Sequence, residues 1–199
     1  MSNAQKRSSA KKRTQAGGQQ ASPWPKRFVT AAGVGVVLAL AAAVFFSSSP
    51  VRGIPEGTKT VAVDAPLHVD EDIYADDEVP AGGNMNSIWL NCGFYDTLVP
   101  AENAVHSLEH GAVWITHQPD IPSEQIDQFR QFTGAFSKVI VSPVPGLSSP
   151  ILMTAWGFQL ELSNADDARL EQFVNEFAGS LEAPEPGGTC GGGVGVPVG

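Results

Sequence analysis

Beyond residue 110 the apolar side chains recur at two different spacings, which predicts alternating strands and helices. Residues 112–117 (AVWITH) alternate and are rich in β-branched and aromatic side chains, as is typical of a strand. Residues 123–134 instead carry isoleucine and phenylalanine at helical spacing, with Ser123 as the predicted N-cap and Gly134 as the predicted stop. A strand followed by an amphipathic helix is therefore expected here.

The same two spacings repeat in the last third of the chain. Residues 138–143 (KVIVSP) predict a second strand, and residues 150–162 predict a third strand or a bent pair with a bulge or corner at Gly157. Residues 164–181 place leucine, valine and phenylalanine on one helical stripe, and the predicted N-cap is Asn164. The resulting order is β-α-β-β-α.

This order predicts an α+β fold, in which helices pack on a small mixed sheet. We expect a loop-rich region, residues 61–103, to precede the sheet, because its acidic and glycine-rich runs lack either spacing. The folded domain should cover residues 61–190, after a Pro/Gly/Ser linker at residues 47–60. Residues 191–199 predict a flexible, glycine-rich tail.

An uncharged apolar run, residues 28–46, stands near the N-terminus. As a helix it would extend about 28 Å, close to the thickness of a bilayer's hydrocarbon core. Lys26 and Arg27 flank its start, so the positive-inside rule predicts a single-pass signal anchor with the N-terminus in the cytoplasm and the C-terminal domain outside. The alternatives are a cleaved signal peptide, whose apolar run is usually shorter, and a buried helix of a soluble domain.

Charge divides the chain at the same apolar run. Residues 1–27 carry seven basic residues and no acid, and their polar composition predicts a disordered cytoplasmic tail. The remaining 5 basic residues are outnumbered by all 21 acidic ones, which gives the rest of the chain a formal charge of −16. Such an acidic domain would repel phosphates, so we exclude a nucleic-acid partner. The predicted partner is the membrane, through the apolar run.

Cys92 and Cys190 are the only cysteines. An exported domain lies in an oxidising compartment, so one disulfide is the simplest interpretation. The alternative, a pair of thiolate ligands or a redox couple, lacks the CxxC spacing that would favour it.

Three of the four histidines lie within residues 102–119, and two of them form the word His106-Ser107-Leu108-Glu109-His110. On a helix, residues i and i+4 share a face, so both imidazoles could reach one ion. Gly111 stands where a helix C-terminal glycine is expected. The H-x-x-E-H word also marks inverted zinc proteases, in which Glu109 would be the general base.

Other candidate ligands lie upstream in the loop-rich region. His68 precedes an acidic run, and Met85 lies among glycines that let backbone approach closely. Imidazoles with a thioether form a soft set that suits copper better than zinc. The metal ligands are therefore predicted as His106, His110 and Glu109, with His68 and Met85 as further candidates, whereas His117 is interpreted as a surface residue.

The sequence leaves three functions open. The first is a metal-binding domain, for copper or zinc, that performs no hydrolysis and has no catalytic residue. The second is a structural or interaction module of the cell envelope, in which the histidines hydrogen-bond to loop carbonyls. The third is a small metallohydrolase, against which stand the short helix and the small domain.

Several words of the chain together resemble one bacterial family. These are the His-x-x-Glu-His-Gly word, the Ala-Trp-Gly word and the terminal Pro-Glu-Pro word, which occur in this order between residues 61 and 190. They are similar to the domain of unknown function 3105 (DUF3105) family, many of whose actinobacterial members are membrane-anchored. The resemblance implies no activity. Members usually carry a histidine near the position of Met85. If the family has a metal site that uses this position, a thioether replaces an imidazole in this chain, which would preserve copper(I) binding and weaken zinc binding.

Overall fold

The computed structural model describes residues 53–198, which form a mixed α+β domain. The predicted α+β class is confirmed, with a six-stranded sheet and three helices in this part of the chain. In chain order the elements are β1 (Lys59–Thr60), β2 (Gly93–Phe94), α1 (Ala101–Glu109), β3 (Val113–His117), α2 (Ser123–Ala135), β4 (Val139–Pro143), β5 (Ile151–Ala155), β6 (Phe158–Leu162) and α3 (Ala168–Phe177).

The sheet is mixed, and β3 lies near its centre. The strand order is β1-β6-β5-β3-β4-β2. β3 and β4 are parallel because α2 connects them, whereas β5 runs antiparallel to both β3 and β6. Trp114 in β3 is paired with Ile140 on one side and with Thr154 on the other. Every residue of β3 is buried, as expected for a strand covered on both faces.

Alternate residues of β3 reach two separate cores. Val113 and Ile115 belong to the cluster that contains Phe129 of α2 and Phe173 of α3. Trp114, between them, belongs to the cluster that contains Leu108 of α1. α2 and α3 therefore pack in one core, and α1 packs with the loop-rich region in the other. This second core holds α1, which carries the histidine word.

Two helices begin at residues other than those predicted. α2 begins at Ser123 itself, after Pro122, and runs through Gly134 to Ala135. α3 begins after Asp167, whose carboxylate accepts a hydrogen bond from the Arg169 backbone N–H. The carboxamide of Asn164 instead accepts from the Asp166 N–H, so this side chain stabilises the turn that precedes the helix.

Gly157 lies at the corner between β5 and β6, as its position in the sequence indicated. Its φ of +76° is a left-handed conformation, and a Cβ there would meet nothing closer than the Val61 carbonyl at 3.7 Å. Gly134 lies inside α2 at an ordinary negative φ, with open space around its missing Cβ.

Alanine at these two glycines is expected to change stability in opposite directions. Gly157→Ala should lower the free energy of unfolding by about 1–2 kcal/mol, because alanine is strained in the left-handed region. Gly134→Ala should raise it by about 0.5–1 kcal/mol, because alanine is the better helix former. Urea denaturation of both variants checks this, and two changes of the same sign would contradict it.

The C-terminal segment differs from the predicted flexible tail. Residues 191–198 lie along residues 89–94 and exchange backbone hydrogen bonds with them, among them Val194 N–H to the Trp89 carbonyl (2.9 Å) and Val198 N–H to the Phe94 carbonyl (2.7 Å). The predicted disulfide between Cys92 and Cys190 is confirmed and joins the same two segments. The glycines permit this close pairing, since a Cβ on Gly193 would overlap the Trp89 carbonyl oxygen.

The predicted linker also ends in structure, because β1 pairs with β6 through Lys59 and Thr60. None of the helices within residues 53–198 is long and apolar enough to cross a membrane. The predicted cytoplasmic tail (residues 1–27) and the predicted signal anchor (residues 28–46) lie outside the described residues.

Candidate metal centre

α1 brings the histidine word into the second core. The helix ends at Glu109, and the next residue, His110, is its C-cap. Gly111 has a φ of +87° and donates its N–H to the Leu108 carbonyl, as a helix-terminating glycine does. His106 and His110 thus share one face, with their ring centroids 4.7 Å apart.

In each of these two imidazoles, one ring nitrogen is held by a hydrogen bond, which leaves the other nitrogen available to a metal ion. His106 Nδ1 lies 2.7 Å from the Asn86 carbonyl oxygen, and His110 Nδ1 lies 2.7 Å from the Thr189 carbonyl oxygen. Because a carbonyl can only accept, each Nδ1 carries the proton and each neutral ring keeps its lone pair on Nε2. Metal-binding histidines are commonly oriented in this way by a backbone carbonyl.

Glu109 is a buried carboxylate without a complete set of partners. It is 6% exposed, and its Oε2 has no hydrogen-bond partner among the described residues. Burial raises the pKa of Glu109 and the nearby charge of Glu185 raises it further, while His68 and His110 oppose the shift. The Nε2 atom of His106 lies 4.0 Å from Glu109 Oε2. A buried carboxylate oxygen with no donor is the kind of atom that a cation can satisfy.

His68, His106 and Glu109 converge. One ligand atom from each residue lies within 4.8 Å of the others. Ligands of a tetrahedral zinc ion lie roughly 3.4 Å apart, so side-chain movements of about 1 Å would bring these three atoms to one ion. Burial lowers the pKa of His106, which keeps this imidazole neutral and able to coordinate at neutral pH.

Met85 is related to this group through its backbone. The backbone on either side of His68 pairs with that of Met85: the Met85 N–H donates to the Leu67 carbonyl (3.0 Å), and the Val69 N–H donates to the Met85 carbonyl (2.8 Å). This pairing holds exposed His68 beside the ring of His106, with ring centroids 5.2 Å apart. The Met85 side chain is 1% exposed, as expected of an apolar residue that fills a core.

Two residues beside the imidazoles were not predicted from the sequence. Trp89 has its ring centroid 5.8 Å from that of His106 and 5.2 Å from that of His110. Glu185 has its Oε2 3.6 Å from His110 Nε2, and its backbone N–H donates to the Glu109 carbonyl. Glu185 is the acid of the terminal Pro-Glu-Pro word, which was the available signal for it.

The interpretation of His117 as a surface residue is wrong. His117 is 4% exposed, because it ends the central strand β3 beneath α2 and stacks on Phe129 with ring centroids 5.6 Å apart. Its Nδ1 donates to the Gln118 carbonyl (2.9 Å), and its Nε2 has no partner among the described residues. Burial lowers the pKa of His117.

The buried His117 is expected to make the fold sensitive to mild acid. Burial lowers the pKa of His117 below 6.5, so as the pH falls below 6.5 the unfolded chain binds a proton at this residue more readily than the folded chain does. Stability therefore falls as the pH falls, by at most about 1.4 kcal/mol per pH unit. His117→Phe should keep the stack on Phe129 and remove this contribution. Denaturation at several pH values between 7.5 and 5 checks the slope, and an equal slope in both proteins would contradict it.

Comparison with known proteins identifies the family. A family model with the description "Protein of unknown function (DUF3105)" matches residues 68–192, which is more than half of the chain. The match includes every residue of the centre from His68 to Glu185 and both cysteines. No curated protein and no solved structure matches the chain. The chain belongs to the DUF3105 family of proteins of unknown function.

Proposed function

We propose that this domain binds one transition-metal ion, zinc or copper, at His68, His106 and Glu109, and performs no hydrolysis. The observation that carries the proposal is the buried carboxylate of Glu109: its Oε2 has no partner among the described residues, and one of its oxygens lies within 4.8 Å of a ring nitrogen of His68 and of His106. A divalent cation would satisfy this oxygen, and the imidazoles of His68 and His106 would supply nitrogen ligands.

The donor chemistry favours zinc over copper(I). Imidazole nitrogen and carboxylate oxygen are ligands that zinc prefers, whereas copper(I) prefers sulfur. The Met85 sulfur belongs to a side chain that is 1% exposed, and the backbone of Met85 pairs with the His68 segment, so packing explains the place of Met85 in the fold. Copper(II), which accepts nitrogen and oxygen donors, is the closest competitor.

A binding role suits Glu109 better than a catalytic one. A general base of a zinc hydrolase must approach a metal-bound water rather than the metal itself. A carboxylate oxygen of Glu109 lies within 4.8 Å of one nitrogen of each of His68 and His106, so a movement of about 1 Å would bring it to the metal itself. The centre therefore uses Glu109 as a ligand.

The test is titration of the full-length chain with zinc, copper(II) and copper(I), followed by calorimetry and by elemental analysis after dialysis. We expect one zinc ion per chain. We expect a His106→Ala/His110→Ala variant, which removes one proposed ligand and the imidazole beside it, to retain its fold and lose that ion. Glu171→Gln, which removes an exposed carboxylate from α3, is the control and should bind zinc as before. A folded protein that binds none of the three ions would overturn the proposal.

A structural role for the histidines is the second candidate function. The Nδ1 bonds of His106 and His110 attach α1 to the loops at Asn86 and Thr189, which a scaffold would also require. In that case the double variant would unfold and the unaltered protein would bind no metal. The buried oxygen of Glu109 favours the metal, because a scaffold would leave it without a partner.

We also propose that the domain belongs to the membrane-anchored, actinobacterial type of the family and lies outside the cytoplasm. The support is the apolar run at residues 28–46, with basic residues before it and an acidic chain after it. A protease added to intact cells should digest the C-terminal domain and spare a tag at the N-terminus. A protected C-terminal domain would contradict this topology.

A further inference from the structure

A short segment of the C-terminal region, residues 185–190, crosses the candidate centre and is called the strap below. It is fastened at three points. Glu185 N–H donates to the Glu109 carbonyl (3.0 Å), the Thr189 carbonyl accepts from His110 Nδ1 (2.7 Å), and Cys190 is joined by the disulfide to Cys92. Two of these fastenings are to residues of the histidine word itself.

The strap lies directly against the ring of His110. A Cβ built on Gly188 would be 2.5 Å from two ring atoms of His110, closer than any side chain permits. Glycine at this position therefore lets the backbone cover the imidazole. Both ends of the strap are fixed, and its middle contacts His110. The backbone of Glu185 is therefore held at a fixed position beside the centre.

We propose that Glu185 is a further ligand of the ion and completes the centre from the strap, an inference that rests on the proposed metal site. Its Oε2 is 3.6 Å from His110 Nε2, and Glu109 Oε2 is 4.0 Å from His106 Nε2. The rings of these two histidines are neighbours, at 4.7 Å. The Nε2 atoms of His106 and His110 thus each have a carboxylate oxygen within 4.0 Å, one from Glu109 and one from Glu185.

The charges explain why a second carboxylate belongs in the centre. A divalent ion held by neutral imidazoles and one carboxylate keeps one positive charge, in a place where His106, His110 and Glu109 are nearly excluded from water. The carboxylate of Glu185 neutralises that charge. Its side chain is 62% exposed, so it can move off and on the ion while the buried ligands stay in place. Glu185 would therefore control how quickly the ion enters and leaves.

The test compares zinc binding to two variants of the full-length chain that lose the same charge. Glu185→Gln keeps the shape of the side chain, and Glu182→Gln removes an exposed carboxylate from the residues just before the strap. We expect Glu185→Gln to weaken zinc binding by about tenfold to a hundredfold and to speed zinc release, while Glu182→Gln stays within about twofold of the unaltered protein.

Substitution of cobalt(II) for zinc gives a readout that a merely structural role would not change. If Glu185 is a ligand, the visible absorption of the cobalt form should change in Glu185→Gln and be restored in part in Glu185→Asp. Equal zinc affinity and equal cobalt spectra in Glu185→Gln and Glu182→Gln would overturn the inference while leaving the metal site standing. Absence of zinc binding in the unaltered protein would overturn the proposed function itself.

Discussion

A Cys92→Ser/Cys190→Ser variant is expected to lose about 4–5 kcal/mol of unfolding free energy. The disulfide closes a loop of 98 residues, and a cross-link of that length removes much of the conformational freedom of the unfolded chain. For a domain of this size, such a loss would lower the melting temperature by roughly 10–20 °C. Guanidinium denaturation of the variant and of the oxidised protein gives the difference.

The reduced, unaltered protein is the control for this result. It keeps both sulfur atoms and lacks only the bond between them, so its stability should match that of the serine variant. If the serine variant lost less than about 1 kcal/mol, the pairing of residues 191–198 with residues 89–94 would be sufficient to hold the segment. The entropic account of the disulfide would then be wrong.

Glu109→Gln is expected to have effects of opposite sign without and with zinc. In the metal-free protein at pH 7.5 it should raise the free energy of unfolding by about 1–2 kcal/mol, because it removes a buried carboxylate whose Oε2 lacks a partner. With excess zinc it should be the less stable protein, since loss of a ligand should weaken binding by about a hundredfold or more. Urea denaturation with a chelator and with zinc measures both effects.

The pH dependence of the metal-free proteins provides the control. The pKa of Glu109 is raised in the folded state by burial and by Glu185, so its ionisation costs stability as the pH rises above 4.5. The advantage of Glu109→Gln should therefore be present at neutral pH and disappear below pH 4.5, where the carboxyl is protonated in both states. A metal-free variant that is less stable than the unaltered protein at pH 7.5 would contradict this account.

Local patterns predicted the strands and helices after residue 110 well, but not β1 and β2. β3, α2, β4 and α3 each carry their own spacing of apolar residues, and the corner at Gly157 follows from the conformational freedom of glycine. The helix starts were less predictable, because several polar residues near a start compete to cap it. Asn164 stabilises the preceding turn, and Asp167 caps α3.

The candidate centre was predictable only where it is local in sequence. His106, Glu109 and His110 are helical neighbours, so their spacing indicated a shared face. Glu185 is distant in sequence and reaches the centre through the strap, which no periodicity marks. His117 was misjudged because its burial depends on the packing of α2 over β3.

The pairing of residues 191–198 could not be predicted from apolar pattern, since glycines have no side chain to form one. These glycines let the backbone approach other side chains closely, as Gly193 approaches Trp89 and Gly188 approaches His110. Composition suggested a flexible tail, whereas backbone hydrogen bonds and the carboxamide of Asn91 hold this segment in place.

The most direct measurement is anomalous diffraction at the zinc edge from crystals of the full-length chain grown with zinc. The account predicts one strong peak per chain, at bonding distance from one ring nitrogen each of His68 and His106 and from the carboxylate of Glu109. If Glu185 completes the centre, its carboxylate will contact the same peak. Zinc located elsewhere, or the absence of zinc from a folded protein while Glu109 Oε2 stays without a partner, would contradict the account.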